Sequence, residues 1–107
     1  MSLTEAIKHD VEKPRTDLLP VEALLEVSKV LSFGAAKYED ENWRRGFKWN
    51  RLYAAALRHM FAWKMGEDND DETSINHIAH ACCCLLFLLT SQLLNLGEDD
   101  RWRKDNE

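Results

Sequence analysis

An all-α helical bundle is the fold this sequence predicts, and three observations predict it. The stretch from Thr73 to Leu96 is nearly all apolar, and between Ile78 and Leu89 its only polar side chain is His80, the character of a helix surrounded by other helices. Upstream, apolar residues recur at helical rather than strand spacing. Four Gly and two Pro among 107 residues, 45% of them apolar, leave one modest core and few loops.

Residues 1–19 are expected to be irregular. Pro20 suits the first turn of a helix, where its missing N–H costs nothing, so the first helix is placed at about 20–37. Leu24, Val27, Val30 and Leu31 stand at core spacing in it, and Gly34 marks a close approach or a break. Residues 38–49 fit no period and read as an ordered loop. The second helix is expected at about 51–65, with Asn50 as N-cap, Gly66 as stop and a core stripe of Leu52, Ala56, Met60 and Trp63. Thr73 or Ser74 would cap the third helix, the core helix, at about 74–96. One domain thus spans 1–97, and 98–107 is a charged, frayed tail. Two partner helices do not cover a helix that is apolar all round, so a homodimer or homotetramer is expected to complete the bundle.

Composition narrows the function. A net charge of -5 and a pI near 5.3 argue against broad nucleic-acid binding. The apolar run is shorter than the roughly 20 residues of a membrane span and is broken by His80, Thr90, Ser91 and Gln92, so no membrane partner is expected. No signal peptide is visible. Cys82, Cys83 and Cys84 are consecutive, about 100° apart on a helix, and do not pair with one another. Reduced thiols and a cytoplasmic location follow.

Four pieces, KPRTDLLP, FGAAKYEDENWRRG, YAAALRHMFAWKMGEDNDDE and HIAHA, occur in an order and spacing that resembles the phage-associated family described as the N-terminal domain of dATP/dGTP diphosphohydrolases. That family is grouped with the all-α NTP pyrophosphatases, the MazG-like superfamily, and the resemblance covers about residues 8–93. It implies a MazG-like bundle, usually oligomeric, that hydrolyses a purine deoxynucleoside triphosphate to the monophosphate and pyrophosphate with Mg²⁺ or Mn²⁺. If phage-encoded, it would act in the host cytoplasm. MazG-like enzymes hold Mg²⁺ with a Glu-x-x-Glu pair on one helix and a Glu-x-x-Asp pair on the next. The corresponding places here fall near Ala55 and Arg58, and near His77 and His80, with no carboxylate at either. Ser74 stands where the closer family has a glycine.

Other residues offer that chemistry. Pyrophosphohydrolysis needs a divalent cation and an activated water. The run Glu67-Asp68-Asn69-Asp70-Asp71-Glu72 supplies oxygen ligands, and Glu67, Asp70 and Glu72 are the candidate metal carboxylates. His77 and His80, spaced i, i+3, project from one face and are candidates as metal ligands, with His77, His80 and Glu67 as candidate catalytic groups. Cys84 lies on the same stripe, which makes a His-His-Cys transition-metal site sterically possible. The ordinary alternatives are a solvated acidic loop, hydrogen-bonded core histidines and a small buried thiol. Lys37, Asn42, Trp43, Arg44 and Lys48 are the candidate substrate loop, cations for phosphates and rings for a base. Arg58, and Lys13 with Arg15 in the N-terminal arm, are further candidates; salt bridges within the bundle are their structural alternative.

Two other readings stand beside the pyrophosphatase. A catalytically degenerate accessory protein of the same fold would bind a nucleotide or a host protein. An HD-like phosphohydrolase, built on His9-Asp10 with His59, His77, His80 and Asp70, would release triphosphate.

Overall fold

The computed structural model describes residues 5–104; the outermost parts of the expected domain and tail, 1–4 and 105–107, lie outside the described residues. Three helices carry the fold: α1 (Val21–Lys37), α2 (Trp49–Lys64) and α3 (His77–Leu94), with 3-10 turns at Thr16–Leu18 and Asn42–Arg45. Among the described residues there is no strand, and isolated bridges join Lys48 to Glu98 and Asn69 to Asn76. The all-α class is therefore as expected. α3 is the middle element, packed along α2 and less extensively along α1.

Small side chains make that packing close. Val27 of α1 is buried against Ala79 and Cys83 of α3, with Val30, Ile75 and Phe87 closing round them. Leu52 and Ala56 are the buried part of the α2 stripe. The stripe does not extend as far as its spacing suggests: Leu24 and Leu31 of α1 and Met60 and Trp63 of α2 are exposed. Gly34 neither breaks α1 nor lies against a neighbour, since nothing stands within 4 Å of a Cβ placed there.

The outward side of α3 is bare. Leu85, Leu89 and Leu93 are 50%, 51% and 73% exposed. The radius of gyration, 18.2 Å, exceeds the roughly 13 Å of a compact domain of this length. His77–Leu94 is also long and apolar enough to cross a membrane by length and composition, contrary to the expectation that the run is too short. Its inward face is nonetheless committed to α1 and α2.

The helix ends differ from expectation because distant residues cap them. α2 begins at Trp49 behind Lys48, two residues before the expected start. Asn50 is no N-cap; its backbone N–H donates to Asp100 Oδ1 at 2.9 Å and its amide to the Asp100 carbonyl at 3.0 Å. Trp49 donates its backbone N–H to the Glu98 carbonyl and its indole N–H to the Leu96 carbonyl. The start of the tail is thus docked on α2 rather than frayed. Gly97, at φ 71°, allows this, because a Cβ there would stand 2.1 Å from the Phe47 carbonyl oxygen. α3 ends at Leu94, with Asn95 left-handed. Gly66 stops α2 as expected, at φ 98°.

Candidate functional site

The third helix starts at His77, three residues later than expected, because the acidic run folds into a closed turn. Asp70 N–H donates to the Ile75 carbonyl at 2.9 Å, Ser74 N–H to the Asp70 carbonyl at 2.8 Å, and His77 N–H to the Asp68 carbonyl at 2.9 Å. Ser74 sits at φ 62°, the left-handed region in which glycine is the least strained residue. Neither Thr73 nor Ser74 caps α3; Asn76 does, accepting the Ile78 N–H at 2.7 Å.

Freed from capping, Thr73 joins the turn to the helix. The Asp70 carboxylate accepts hydrogen bonds from Glu72 N–H, Thr73 N–H and the Thr73 hydroxyl at 3.1, 3.0 and 3.2 Å. Thr73 Oγ1 lies 2.7 Å from His80 Nε2. An Asp70–Thr73–His80 chain therefore fixes the outward end of that imidazole.

Three imidazoles meet where α2 crosses α3. His59 lies parallel to His80, centroids 4.5 Å apart, and tilted against His77 at 5.2 Å. His59 Nδ1 and His77 Nδ1 are 2.9 Å apart. His77 is 4% exposed, and its Nε2 has no hydrogen-bond partner although Glu67 Oε1 stands 3.2 Å away, because the angle is wrong for a hydrogen bond. One donor atom each from His59, Asp70 and His77 fall within 4.8 Å of one another.

Burial sets the charge state of this cluster. Desolvation lowers the pKa of His59, aided by repulsion from His80 and His77 that outweighs the pull of Asp70. Desolvation likewise lowers that of His80, against Asp70 and Glu72. For Asp70 desolvation acts upward, but the Thr73 backbone and hydroxyl bonds and the nearby histidines prevail and hold the carboxyl below its usual range. Near pH 7 His59 and His80 are neutral imidazoles beside an ionised Asp70 carboxylate, the states in which these groups ligate metals.

His59 and His80 reach one wall of a cleft of about 940 Å³, whereas His77 is buried behind them and does not line it. His59, Asp70, Glu72, Thr73 and His80 line that wall, and Lys37, Tyr38, Asn42, Trp43 and Arg44 line the other. Lys37 Nζ bridges the two at 2.9 Å from Glu72 Oε1. The structure thus brings together Lys37, Asn42, Trp43, Arg44, Asp70, Glu72 and His80. Glu67 is outside the lining, behind His77.

Several candidates are not brought to the cleft. Lys48 is exposed at the start of α2, and Arg58 faces a separate depression of about 430 Å³ with Phe47 and Arg51. Lys13 is exposed in the arm, and Arg15 is paired with Asp17 at 2.8 Å. His9 and Asp10 are exposed in the same arm. Cys84 is half-buried, outside the His59–Asp70–His77 group, and desolvation raises its thiol. Trp43 is no free stacking platform, since it stacks on Phe87 at 4.4 Å and carries the Arg44 guanidinium 4.5 Å from its ring. Trp49 is buried. Tyr38, 65% exposed, is a ring open in the cleft. His59 and Thr73 are the members that sequence reasoning undervalued. His59 lies three residues after the buried Ala56, the spacing that turns both toward α3.

Residues 4–101 match the family described as dATP/dGTP diphosphohydrolase, N-terminal. A Salmonella phage PMBT28 protein named dATP/dGTP diphosphohydrolase is 38% identical over 99 residues, which are 90% of this chain and 33% of that protein. The chain therefore spans about a third of that relative's length. No solved structure matches the chain.

Proposed function

Because the chain belongs to the dATP/dGTP diphosphohydrolase N-terminal family, we propose that its cleft hydrolyses a purine deoxynucleoside triphosphate to the monophosphate and pyrophosphate. The observation that carries this reading is that Lys37 and Arg44 line one cleft together with His59, His80 and Asp70. The cations meet the phosphate tail, Asn42 offers an amide to it, and Tyr38 stacks on the base. His80, neutral and donating its Nε2–H to Thr73, takes the proton from the attacking water at Nδ1.

The activity depends on a divalent cation, Mg²⁺ or Mn²⁺. The donors present fit a cation: His59, Asp70 and His77 each offer one donor atom within 4.8 Å of the others, and Glu67 and Glu72 carry carboxylates close by. When bound, it neutralises phosphate charge and lowers the pKa of water. Histidines from α2 and α3 take the place of the superfamily's helix-borne carboxylates.

A second copy of the chain covers the outward face of α3. That face carries Ile78, Leu85, Leu89 and Leu93 with no charged residue from His77 to Leu94, so an identical face brings no like-charge clash. Sedimentation should give a dimer or tetramer, and Leu89→Asp should dissociate it; a micromolar monomer would contradict this. The protein works in the cytoplasm, in keeping with its three free cysteines.

One rival is favoured by a specific observation. His59, His77, His80 and Asp70, the side chains an HD-like enzyme would use, do assemble, although His9 and Asp10 do not join them. Incubating the protein with dATP or dGTP and Mn²⁺ or Mg²⁺ separates the cases by product. Monophosphate with pyrophosphate supports the pyrophosphohydrolase, and nucleoside with triphosphate the HD-like enzyme. No product would point to a nucleotide-binding accessory protein.

A further inference from the structure

We propose that His59, His77 and Asp70 are the inner ligands of a site for an imidazole-binding first-row transition dication, with Glu67 orienting His77 from behind, and that Mg²⁺ is a poor occupant. The inference deepens the pyrophosphohydrolase reading and rests on it for the ion's use, but binding itself needs no nucleotide.

The protonation arithmetic of His77 is the starting point. A neutral imidazole carries one N–H, and its other nitrogen bears a lone pair. If His77 Nδ1 carries the proton, the bare Nε2 faces the Glu67 carboxylate at 3.2 Å, lone pair against anion, in a site 4% exposed. If Nε2 carries it, Glu67 accepts after a small rotation, and His77 Nδ1 turns a lone pair to His59 Nδ1 at 2.9 Å. The second arrangement satisfies Glu67 and lets His59 Nδ1–H donate to His77 Nδ1; with the His59 proton on Nε2 instead, both Nδ1 lone pairs are left for one ion.

That convergence has the dimensions of a coordination edge. Two nitrogens bound side by side to one ion at about 2.1 Å each lie about 3.0–3.4 Å apart, close to the observed spacing. Asp70 supplies a third donor atom within 4.8 Å of both. Glu67–His77–ion is then the carboxylate–histidine–metal arrangement that fixes a ligand's tautomer and raises its basicity. His80 is excluded from the inner set because its Nε2 is engaged by Thr73.

The donor chemistry selects the ion. Mg²⁺ takes oxygen donors in a near-ideal octahedron and keeps most of its waters, whereas imidazole suits Mn²⁺ and the later first-row ions increasingly well. The site of two imidazoles and one carboxylate is assembled from α2, the 67–76 turn and the first turn of α3. It differs from the all-carboxylate sets on which Mg²⁺ enzymes of similar chemistry rely.

The test uses tag-free protein stripped with chelator and titrated with Co²⁺ alone, followed by visible absorption and calorimetry. One Co²⁺ per chain should bind, be displaced by Zn²⁺, and resist a thousand-fold excess of Mg²⁺. His59→Gln should weaken Co²⁺ binding at least about 100-fold, and Glu67→Gln about 10- to 100-fold, with circular dichroism unchanged. Displacement by equimolar Mg²⁺, or unchanged affinity in a folded His59→Gln protein, would overturn the assignment. Should His59→Gln misfold, His77→Gln gives the same reading from the other ligand. Co²⁺ binding without dNTP turnover would sink the hydrolase reading alone; turnover without Co²⁺ binding would sink this inference alone.

Discussion

The two walls of the cleft are built on opposite principles. The groups of the histidine wall, Glu72 apart, are buried or half-buried and tied to one another: Asp70 to Thr73, Thr73 to His80, His80 against His59, and His59 to His77. The cationic wall is exposed, and its charges are occupied by acids, two of them from their own neighbourhood and one from the other wall. Arg44 pairs with Glu41 at 2.9 Å, Arg45 with Glu39, and Lys37 with Glu72. Exposed pairs contribute about 0–1 kcal/mol each, so a triphosphate displaces them cheaply. In the proposed reading, one wall is organised before substrate arrives and the other by it, so that chemistry belongs to the first and capture to the second.

The sharpest way to break this comparison is to remove His77 and His80 together. Turnover should fall by about 10³-fold or more, with helicity and sedimentation unchanged, as expected for a proton acceptor and a metal ligand lost together. Survival of turnover in that folded variant would place the chemistry elsewhere. Thr73→Val comes next, since it keeps the shape and deletes the hydroxyl between Asp70 and His80. A drop of about 10- to 100-fold in kcat with little change in KM is expected, a loss of positioning rather than of a reacting group. Lys37→Ala and Arg44→Ala should do the reverse, raising KM about 10-fold while kcat holds within about 3-fold.

How much of this was legible in the sequence differs between the walls. The three helices and the Gly66 stop were readable because periodicity and stop residues are local. The late start of α3 was not, because the 67–76 turn satisfies its backbone with Asp70 and Ile75 rather than by continuing a helix. Lys37, Asn42 and Arg44 were identified through a motif and do line the cleft. His59 entered the sequence reading only through the HD-like alternative, because its contacts, His77 and His80, lie 18 and more residues away on another helix. The docked tail was hidden for the same reason, since Asp100 reaches Asn50 across 50 residues. Leu24 and Leu31 followed the rule for a core stripe, yet too few helices exist in one copy to cover them.

The smallest effect expected is on stability against pH. Unfolded histidines take up protons near pH 6.5, while folded His59 and His80 resist protonation because burial lowers both. Below about pH 6.5 the unfolded chain binds more protons than the folded one, so stability of the metal-free protein falls as pH drops and is flat above. At still lower pH the depressed Asp70 acts in the same direction, its contribution being present above the ordinary carboxylate pKa and lost as pH falls through its folded value. Thermal melts of chelator-treated protein between pH 8 and 5 check this, and His59→Gln should flatten the upper part of the curve.

The central claim is that water is activated at the histidine wall and attacks the phosphorus nearest the sugar, with pyrophosphate leaving. Turnover of dGTP in ¹⁸O-labelled water, with mass spectrometry of both products, tests it most directly. The account expects one ¹⁸O in the deoxynucleoside monophosphate and none in pyrophosphate. Label in pyrophosphate, or in released triphosphate, would contradict it.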